Sequence, residues 1–241
     1  MPRGPLSVII PTVNARHVLA HSAAALMVGN QDGLIRELII SDGESDDDIS
    51  ALATALGANF LTCKRGRGNQ LHAAAQAAHG DWFLFIHADT ALGGNWPDIV
   101  RQHIATRTDA GFFRLQFSAR GFAPAWIAGW ANFRSRYLGL PYGDQGLLIS
   151  RDLYFRIGGY PLIPLMEDIA IARKLRGQLR MLDCPAVTNP ARYVAEGWFN
   201  RGLGNLILSA RYFLGEKPEK LAVHYRAMSP RETSPQTPPK P

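Results

Sequence analysis

Apolar positions along the chain fall into two alternating patterns. Short, unbroken apolar runs rich in β-branched residues occupy residues 6–11, 37–41, 59–63 and 82–87, the pattern of strands buried on both faces. Each is followed by a stretch of helical composition, at residues 15–28, 48–56, 70–79 and 96–106. Four β-α steps in series predict an α/β fold with a doubly wound, mostly parallel sheet and helices on both faces. The rhythm then changes. A strand is expected at 111–118, an aromatic helix at 126–138 and a strand at 146–149. A helix at 167–176, short strands at 180–183 and 186–188, and a long amphipathic helix at 196–214 follow. Residues 1–228 read as a single domain, with a first half to about residue 110 and a second half over 111–228. Residues 229–241, rich in Pro, Ser and Thr, predict a disordered tail.

Composition narrows the function classes. A chain of 241 residues, 46% apolar and 19% charged, is long enough for a substantial core and ordinary for a globular domain. Its net charge of +6 favours an anionic partner such as a nucleotide diphosphate or an anionic membrane surface. The basic residues are scattered and no nucleic-acid recognition motif is present, so nucleic acid is not expected. The two cysteines, Cys63 and Cys184, have no metal-ligand or disulfide-framework spacing and fit a reducing cytoplasm. The first five residues run straight into an apolar strand without the features of a signal peptide, so export is not expected. No apolar run reaches membrane-spanning length. Peripheral contact with the inner face of a membrane stays open. Between residues 196 and 214, Trp198, Phe199, Leu206, Leu208, Tyr212 and Phe213 alternate with Arg201 and Arg211. That is the spacing of an interfacial helix, and equally of a helix packed on a core.

In an open parallel sheet, ligands bind beyond the carboxyl ends of the strands, where helix N-termini point free N–H groups at anions. Thr12 and Asn14 end the first predicted strand and Asp42 the second. Arg65 and Arg67 follow the third, and His87 and Asp89 end the fourth. In His87-Ala88-Asp89-Thr90, a carboxylate leaving an apolar strand either caps the next turn or binds a hard cation bridging a diphosphate. Asp42, followed by Gly43, is placed to accept hydrogen bonds from a base or ribose, whereas Asp46 to Asp48 read as charges capping a helix. Lys64-Arg65-Gly66-Arg67-Gly68 offers cations and pliable backbone to phosphate, or is a solvated turn. Glu167-Asp168 begins a predicted helix, as a general base for an acceptor hydroxyl or as a charge complementing the helix dipole.

Taken in order, Ser7 to Asn14 (SVIIPTVN), Asp42-Gly43-Glu44-Ser45, Gly80 to Asp89 (GDWFLFIHAD) and Glu167-Asp168 resemble the inverting family-2 glycosyltransferases of the GT-A fold. The resemblance covers roughly residues 6–228. It is nearest a bacterial subfamily marked by HADT, by Leu140 to Gly146 (LPYGDQG) and by Pro164 to Asp168 (PLMED), some of whose members are named arsenosugar-biosynthesis glycosyltransferases. The resemblance implies an enzyme that moves a sugar from a nucleotide-diphosphate donor to an acceptor hydroxyl by single displacement with inversion. The first half would bind the nucleotide and the second the acceptor. Residue by residue, it implies that Pro11, Thr12 and Asn14 line the nucleotide pocket, Asp42 contacts the nucleoside and Arg67 lies near the donor. Asp89, beside Ala88, would bind the diphosphate and a divalent metal, manganese or magnesium. Glu167 or Asp168 would be the base. His87 stands where the family usually has the first acid of its metal motif, making an imidazole the other candidate ligand. Glu44 stands where Gly or Ser is more usual. Gly143, Asp144 and Gln145 would lie on the acceptor side, with Trp198 and Arg201 closing over the donor.

Two other readings compete. A sugar-phosphate nucleotidyltransferase would use similar architecture, but Pro11-Thr12-Val13-Asn14 replaces the Gly-rich basic loop expected after its first strand. A catalytically silent module binding a nucleotide sugar or lipid head group is the third, and the intact Glu167-Asp168 pair argues against it.

Overall fold

Each of the four apolar runs forms a strand, and the chain alternates as its sequence predicts. A computed structural model describes residues 4–228. The first half runs β1 (Leu6–Thr12), α1 (Arg16–Gln31), β2 (Ile35–Asp42), α2 (Ile49–Ala55), β3 (Asn59–Thr62), α3 (Arg67–Ala77) and β4 (Trp82–Phe85). It continues through β5 (Thr90–Leu92), α4 (Trp96–Thr106) and β6 (Ala110–Phe117). The second half adds α5 (Phe122–Leu138), a 3-10 turn (Gly143–Gln145), β7 (Leu147–Ser150), α6 (Arg151–Arg156), α7 (Glu167–Lys174) and β8 (Leu179–Thr188). Helices α8 (Ala191–Glu196), α9 (Trp198–Phe213) and α10 (Pro218–Met228) close the described chain.

One sheet has the order β3-β2-β1-β4-β7-β6-β8-β5. The four strands of the β-α repeat are mutually parallel. β7 runs antiparallel between β4 and β6, β6 and β8 are parallel, and the short β5 pairs antiparallel with β8. Along β1, Val8 and Ile10 pack into one core layer with Leu19, Leu84 and Trp96. Ile9 faces the other layer, with Leu71, Phe83, Phe85 and Tyr154. Burial on both faces is why β1 and β4 are apolar instead of alternating; β3, expected to be buried in the same way, is the edge strand and is largely exposed.

The structure departs from expectation in three places. The helix expected over 196–214 is α9, and a short helix that the sequence did not announce, α8, precedes it across Gly197, whose φ of 85° is left-handed; glycine adopts that conformation at little cost. The two short strands at 180–183 and 186–188 are one strand, β8, with a register shift opposite Phe113 and Arg114 beside Pro185, whose nitrogen has no hydrogen to give the ladder. Strand β5 and helices α6 and α10 were not anticipated. The disordered tail expected at 229–241 lies outside the described residues.

Trp96 fixes α4 against the first half. Its side chain is fully buried and its indole Nε1–H donates to Ala25 O at 2.9 Å. Gly29 makes the space, because a Cβ there would collide with the indole ring. Trp96→Ala is expected to cost about 3–5 kcal/mol, read as a lowered urea midpoint with unchanged m-value.

Candidate active site

The carboxyl ends of β1 and β4 splay apart from α7, and the space between them is a cavity of about 350 Å³. Thr12 and Asn14 line its floor beside His87 and Asp89; Arg67 and Gln70 enter from α3. Tyr142, Gly143 and Asp144 enter from the 3-10 turn, and Glu167 and Asp168 from the start of α7. The C-terminal helices roof it with Arg192, Tyr193, Arg201, Asn205, Ser209 and Tyr225.

The buried Gln70 ties the carboxyl ends of β1 and β2 together. Its amide donates to Thr12 O at 2.7 Å and Ser41 O at 2.9 Å. The loops that follow are tied together by Asn14, held at φ 49°. Its side-chain oxygen accepts from Asp46 N at 2.8 Å, and its own N–H donates to Ser45 Oγ at 2.8 Å. Asp42 completes the tie from behind Thr12. Its carboxylate accepts from Thr12 Oγ1 at 3.0 Å, Ser45 Oγ at 2.5 Å and Ser45 N at 2.9 Å.

Across the cavity, Met166 in a left-handed conformation (φ 68°) turns the chain into α7. Asp168 is then pinned at both oxygens: Oδ1 accepts from Ile169 N at 2.7 Å and Oδ2 from Gly143 N at 3.0 Å. Glu167 is 1% exposed, with Oε1 3.7 Å from Arg67 Nε. Burial first, then repulsion from Asp168, pushes its carboxyl up to about 7 against the pull of Arg67. Burial likewise raises Asp144 to about 6; Arg134 opposes the shift, while Asp168 and Asp89 add to it. His87 goes the other way: burial, with Arg67 and Arg192 nearby, holds its imidazole well below the usual range, so it is neutral near pH 7. Its ring lies against Gly143, where any Cβ would strike it.

Most residues expected from the sequence converge here: Pro11, Thr12, Asn14, Arg67, His87, Ala88, Asp89, Gly143, Asp144, Glu167, Asp168 and Arg201 all line the cavity. Three do not. Asp42 is 3% exposed and spends its oxygens on the loops behind Thr12. Gln145 is fully buried beneath the cavity, donating to Phe113 O and accepting from Ser135 Oγ. Trp198 packs edge-on to Phe117 at 5.0 Å and stacks on Tyr193 at 5.2 Å. Arg201, with Trp198 expected to close over the donor, is buried and bridges Glu196 to Tyr225. The lining residues that sequence reasoning missed include Gln70, Tyr142, Arg192, Asn205 and Tyr225. Tyr142 lies within the quoted Leu140 to Gly146 motif and was within reach. The others meet only through the packing of distant helices, and their sequence carries no signal of it.

Residues 7–110 match the sequence model of Glycosyl transferase family 2, a family of the enzyme class that the sequence predicts. A search of curated protein sequences returns no match. Among solved structures, a mannosyltransferase from Pyrobaculum calidifontis in complex with GDP-Man and Mn2+ is 16% identical with a TM-score of 0.60, over 93% of this chain and 69% of that one. A glucosyl-3-phosphoglycerate synthase from Mycobacterium tuberculosis in complex with Mn2+, UDP and glucosyl-3-phosphoglycerate is 19% identical, TM-score 0.54, over 76% and 71%. S. aureus TarS in complex with UDP-GlcNAc is 16% identical, TM-score 0.58, over 76% and 58%. A mycobacterial protein at 21% identity and TM-score 0.54 is covered over 65% of its length. The chain thus spans under two thirds of the last two. At these identities the likeness shows the fold, the GT-A-like α/β architecture expected from the sequence.

The raised carboxyl of Glu167 makes stability depend on pH with a definite sign. Its folded value, about 7, lies above the ordinary 4.5, so the folded state holds the proton more tightly and Glu167 loses stabilising effect as pH rises through that interval. The lowered His87 acts in the opposite direction. Comparison with Glu167→Gln isolates the glutamate: between pH 4.5 and pH 7 the wild type should lose stability relative to the variant, read from urea midpoints across that range.

Proposed function

We propose that this chain transfers a sugar from a nucleotide-diphosphate donor to an acceptor hydroxyl with inversion, and that Asp168 is its general base. The observation that carries the reading is that Asp89, in the turn between β4 and β5, and Asp168, at the start of α7, open on the same cavity beside Arg67. The family-2 match over residues 7–110 and structural neighbours holding GDP-Man, UDP or UDP-GlcNAc support it. The cavity is divided in keeping with that chemistry. The first half supplies the strand-end floor for the nucleotide. The second supplies Asp144, Asp168 and the helical roof on the acceptor side. On its motifs, the chain sits nearest the bacterial subfamily marked by HADT and works in the cytoplasm.

Asp168 suits the role of base better than Glu167. Two backbone N–H groups fix both of its oxygens in place, each with a lone pair left for an acceptor hydroxyl, so proton removal needs no rearrangement. Glu167, 1% exposed, has its carboxylate turned to Arg67. Arg67 carries its charge beside the place where the diphosphate departs, and donors aimed at developing negative charge are worth most in a site shielded from water. Attack by the acceptor oxygen forms the new bond at the anomeric carbon as the bond to the diphosphate breaks, and the acceptor proton passes to Asp168.

Two neighbours hold Mn2+ with their nucleotide ligand. Among the described residues no group of three His, Cys, Asp or Glu is placed to cage a cation. The donors at the strand end are one carboxylate, Asp89, and the neutral imidazole of His87. The carboxylate of that set fits a hard cation, and the imidazole is the softer donor of the pair. Asp89 and His87 would hold the ion, and it would supply charge neutralisation on the leaving diphosphate.

Calorimetric titration with UDP, GDP, CDP and dTDP, each with and without manganese, should show metal-dependent binding of one nucleotide, lost in Asp89→Ala with folding retained. No binding of any of the four, or binding indifferent to Asp89, would remove the donor assignment. With the donor known, Asp168→Asn is expected to lower kcat by about 10²–10⁴ with KM nearly unchanged. A loss confined to KM would move the base elsewhere.

A further inference from the structure

Helix α5 carries most of its largest apolar side chains on the outside. Phe122, Trp126, Trp130, Phe133 and Tyr137 are 43–76% exposed, and at 100° per residue their spacing gathers them into one stripe. The rings are arranged against one another: Phe122 stacks on Trp126 and Trp130 on Phe133, at 6.2 Å and 5.9 Å between centroids. Neighbouring α9 touches α5 where Gly202 leaves room for Ile127. It adds Phe199, Leu203 and Ile207, 48–58% exposed. Of the apolar residues whose spacing suits either an interfacial or a core-packed helix, Trp198 and Leu208 turn inward while Phe199 stays on the exposed face. Apolar side chains scattered singly need no partner; a two-helix stripe of this kind marks a contact surface.

We propose that the exposed face of α5 and α9 docks on the surface of an anionic lipid bilayer. Three features select that occupant. The stripe on α5 is aromatic, and Trp and Tyr sit well at the headgroup level, where one part of the ring is apolar and another polar. Neither α5 nor α9 contains an acidic residue; of their arginines, Arg134 and Arg201 are buried and Arg211 pairs with Glu216, which leaves Arg136 as the charge on the exposed face. Arg136 is exposed and lies over the ring of Tyr137. The whole chain carries +6, which an anionic surface complements. A second copy does not, because a symmetric pairing of this face would bring the exposed Arg136 of each copy together with no carboxylate on either helix to receive them. No described helix is long and apolar enough to cross a membrane, so the contact is with its surface. The opposite side of α9 presents Arg201, Asn205 and Ser209 to the cavity, so a single helix would join bilayer and cavity. The docking stands independently of the transfer chemistry proposed above.

The test is co-sedimentation of the full chain with vesicles of phosphatidylglycerol mixed with phosphatidylcholine, against phosphatidylcholine alone. Binding should favour the anionic vesicles and weaken with added salt. Trp126→Ser and Phe133→Ser should each reduce partitioning about 10-fold, and Arg136→Glu should reduce it on anionic vesicles alone. None of the three lines the cavity, so circular dichroism should stay unchanged. Quenching of tryptophan fluorescence by brominated lipid, diminished in Trp126→Ser, would place the stripe at the bilayer. No partitioning, or partitioning that the substitutions leave intact, would overturn the proposal. So would a dimer in solution that Trp126→Ser or Phe133→Ser dissolves, which would assign the face to a second copy.

Discussion

Four carboxyl groups, Asp89, Asp144, Glu167 and Asp168, open on one cavity, and the fold around it depends on what offsets their repulsion. Charges a few ångströms apart in a partly dry wall interact far more strongly than in water. Arg67 supplies one offset, reaching Glu167 at 3.7 Å and sharing the fields of Asp168 and Asp89. Arg134 supplies another. Its guanidinium lies 3.4 Å over the ring of Tyr142, its Nε–H donates to Leu140 O at 3.0 Å, and its charge opposes the rise at Asp144. Arg67 begins α3 and Arg134 belongs to α5, so the cavity is an electrostatic joint between the two halves of the chain. Proton uptake at Glu167 and Asp144 relieves what the arginines leave.

Backbone geometry converts that balance into position. Gly68 opens α3 where a Cβ would run into the backbone of Pro161 and Ile163, so α3 and the loop leading to α7 meet at main-chain distance. That contact fixes the approach to Met166, whose left-handed turn aims Glu167 at Arg67 and Asp168 at Gly143. Gly143 is held in turn between His87 and Asp168. A chain of close approaches therefore runs from α3 through the α7 loop to the 3-10 turn and β4, and each link needs either a glycine or an unusual φ. Such positions are tolerated where surrounding structure over-determines them, which is the condition of a preorganised site.

The repeat of the first half was legible because parallel strands buried on both faces must be apolar end to end, and little else produces that signal. The strand-end residues Thr12, His87 and Asp89 followed from topology alone. What failed did so for identifiable reasons. α8 has six residues and none of them is buried, so it carries no apolar period to read. β5 has three residues, too few for a period. Asp42 looks the same in sequence whether its oxygens face a ligand or the N–H and O–H groups of its own loops, and here Thr12 and Ser45 claim them. An amphipathic helix has two flanks, and only tertiary packing decided that Trp198 and Leu208 face inward while Leu203 and Ile207 face out. The roof of the cavity was invisible for the same reason, since Arg192, Asn205 and Tyr225 come from three helices with no local motif.

His87 is where packing and charge make the same demand. The resemblance leads one to expect an acid at this position, and an acid would bring a fifth carboxylate to a cavity that already gathers four. An imidazole held neutral by burial and by the nearby Arg67 and Arg192 adds no charge. Its ring also extends further than an aspartate carboxylate and takes the space that Gly143 leaves by having no Cβ. Replacing either partner alone would therefore be felt by the other: a larger residue at 143 strikes the ring, and a smaller acid at 87 leaves a gap beside the turn that supplies the N–H to Asp168. The position is thus tied to the orientation of the proposed base through a single glycine, which gives the departure from the family pattern a structural consequence as well as an electrostatic one.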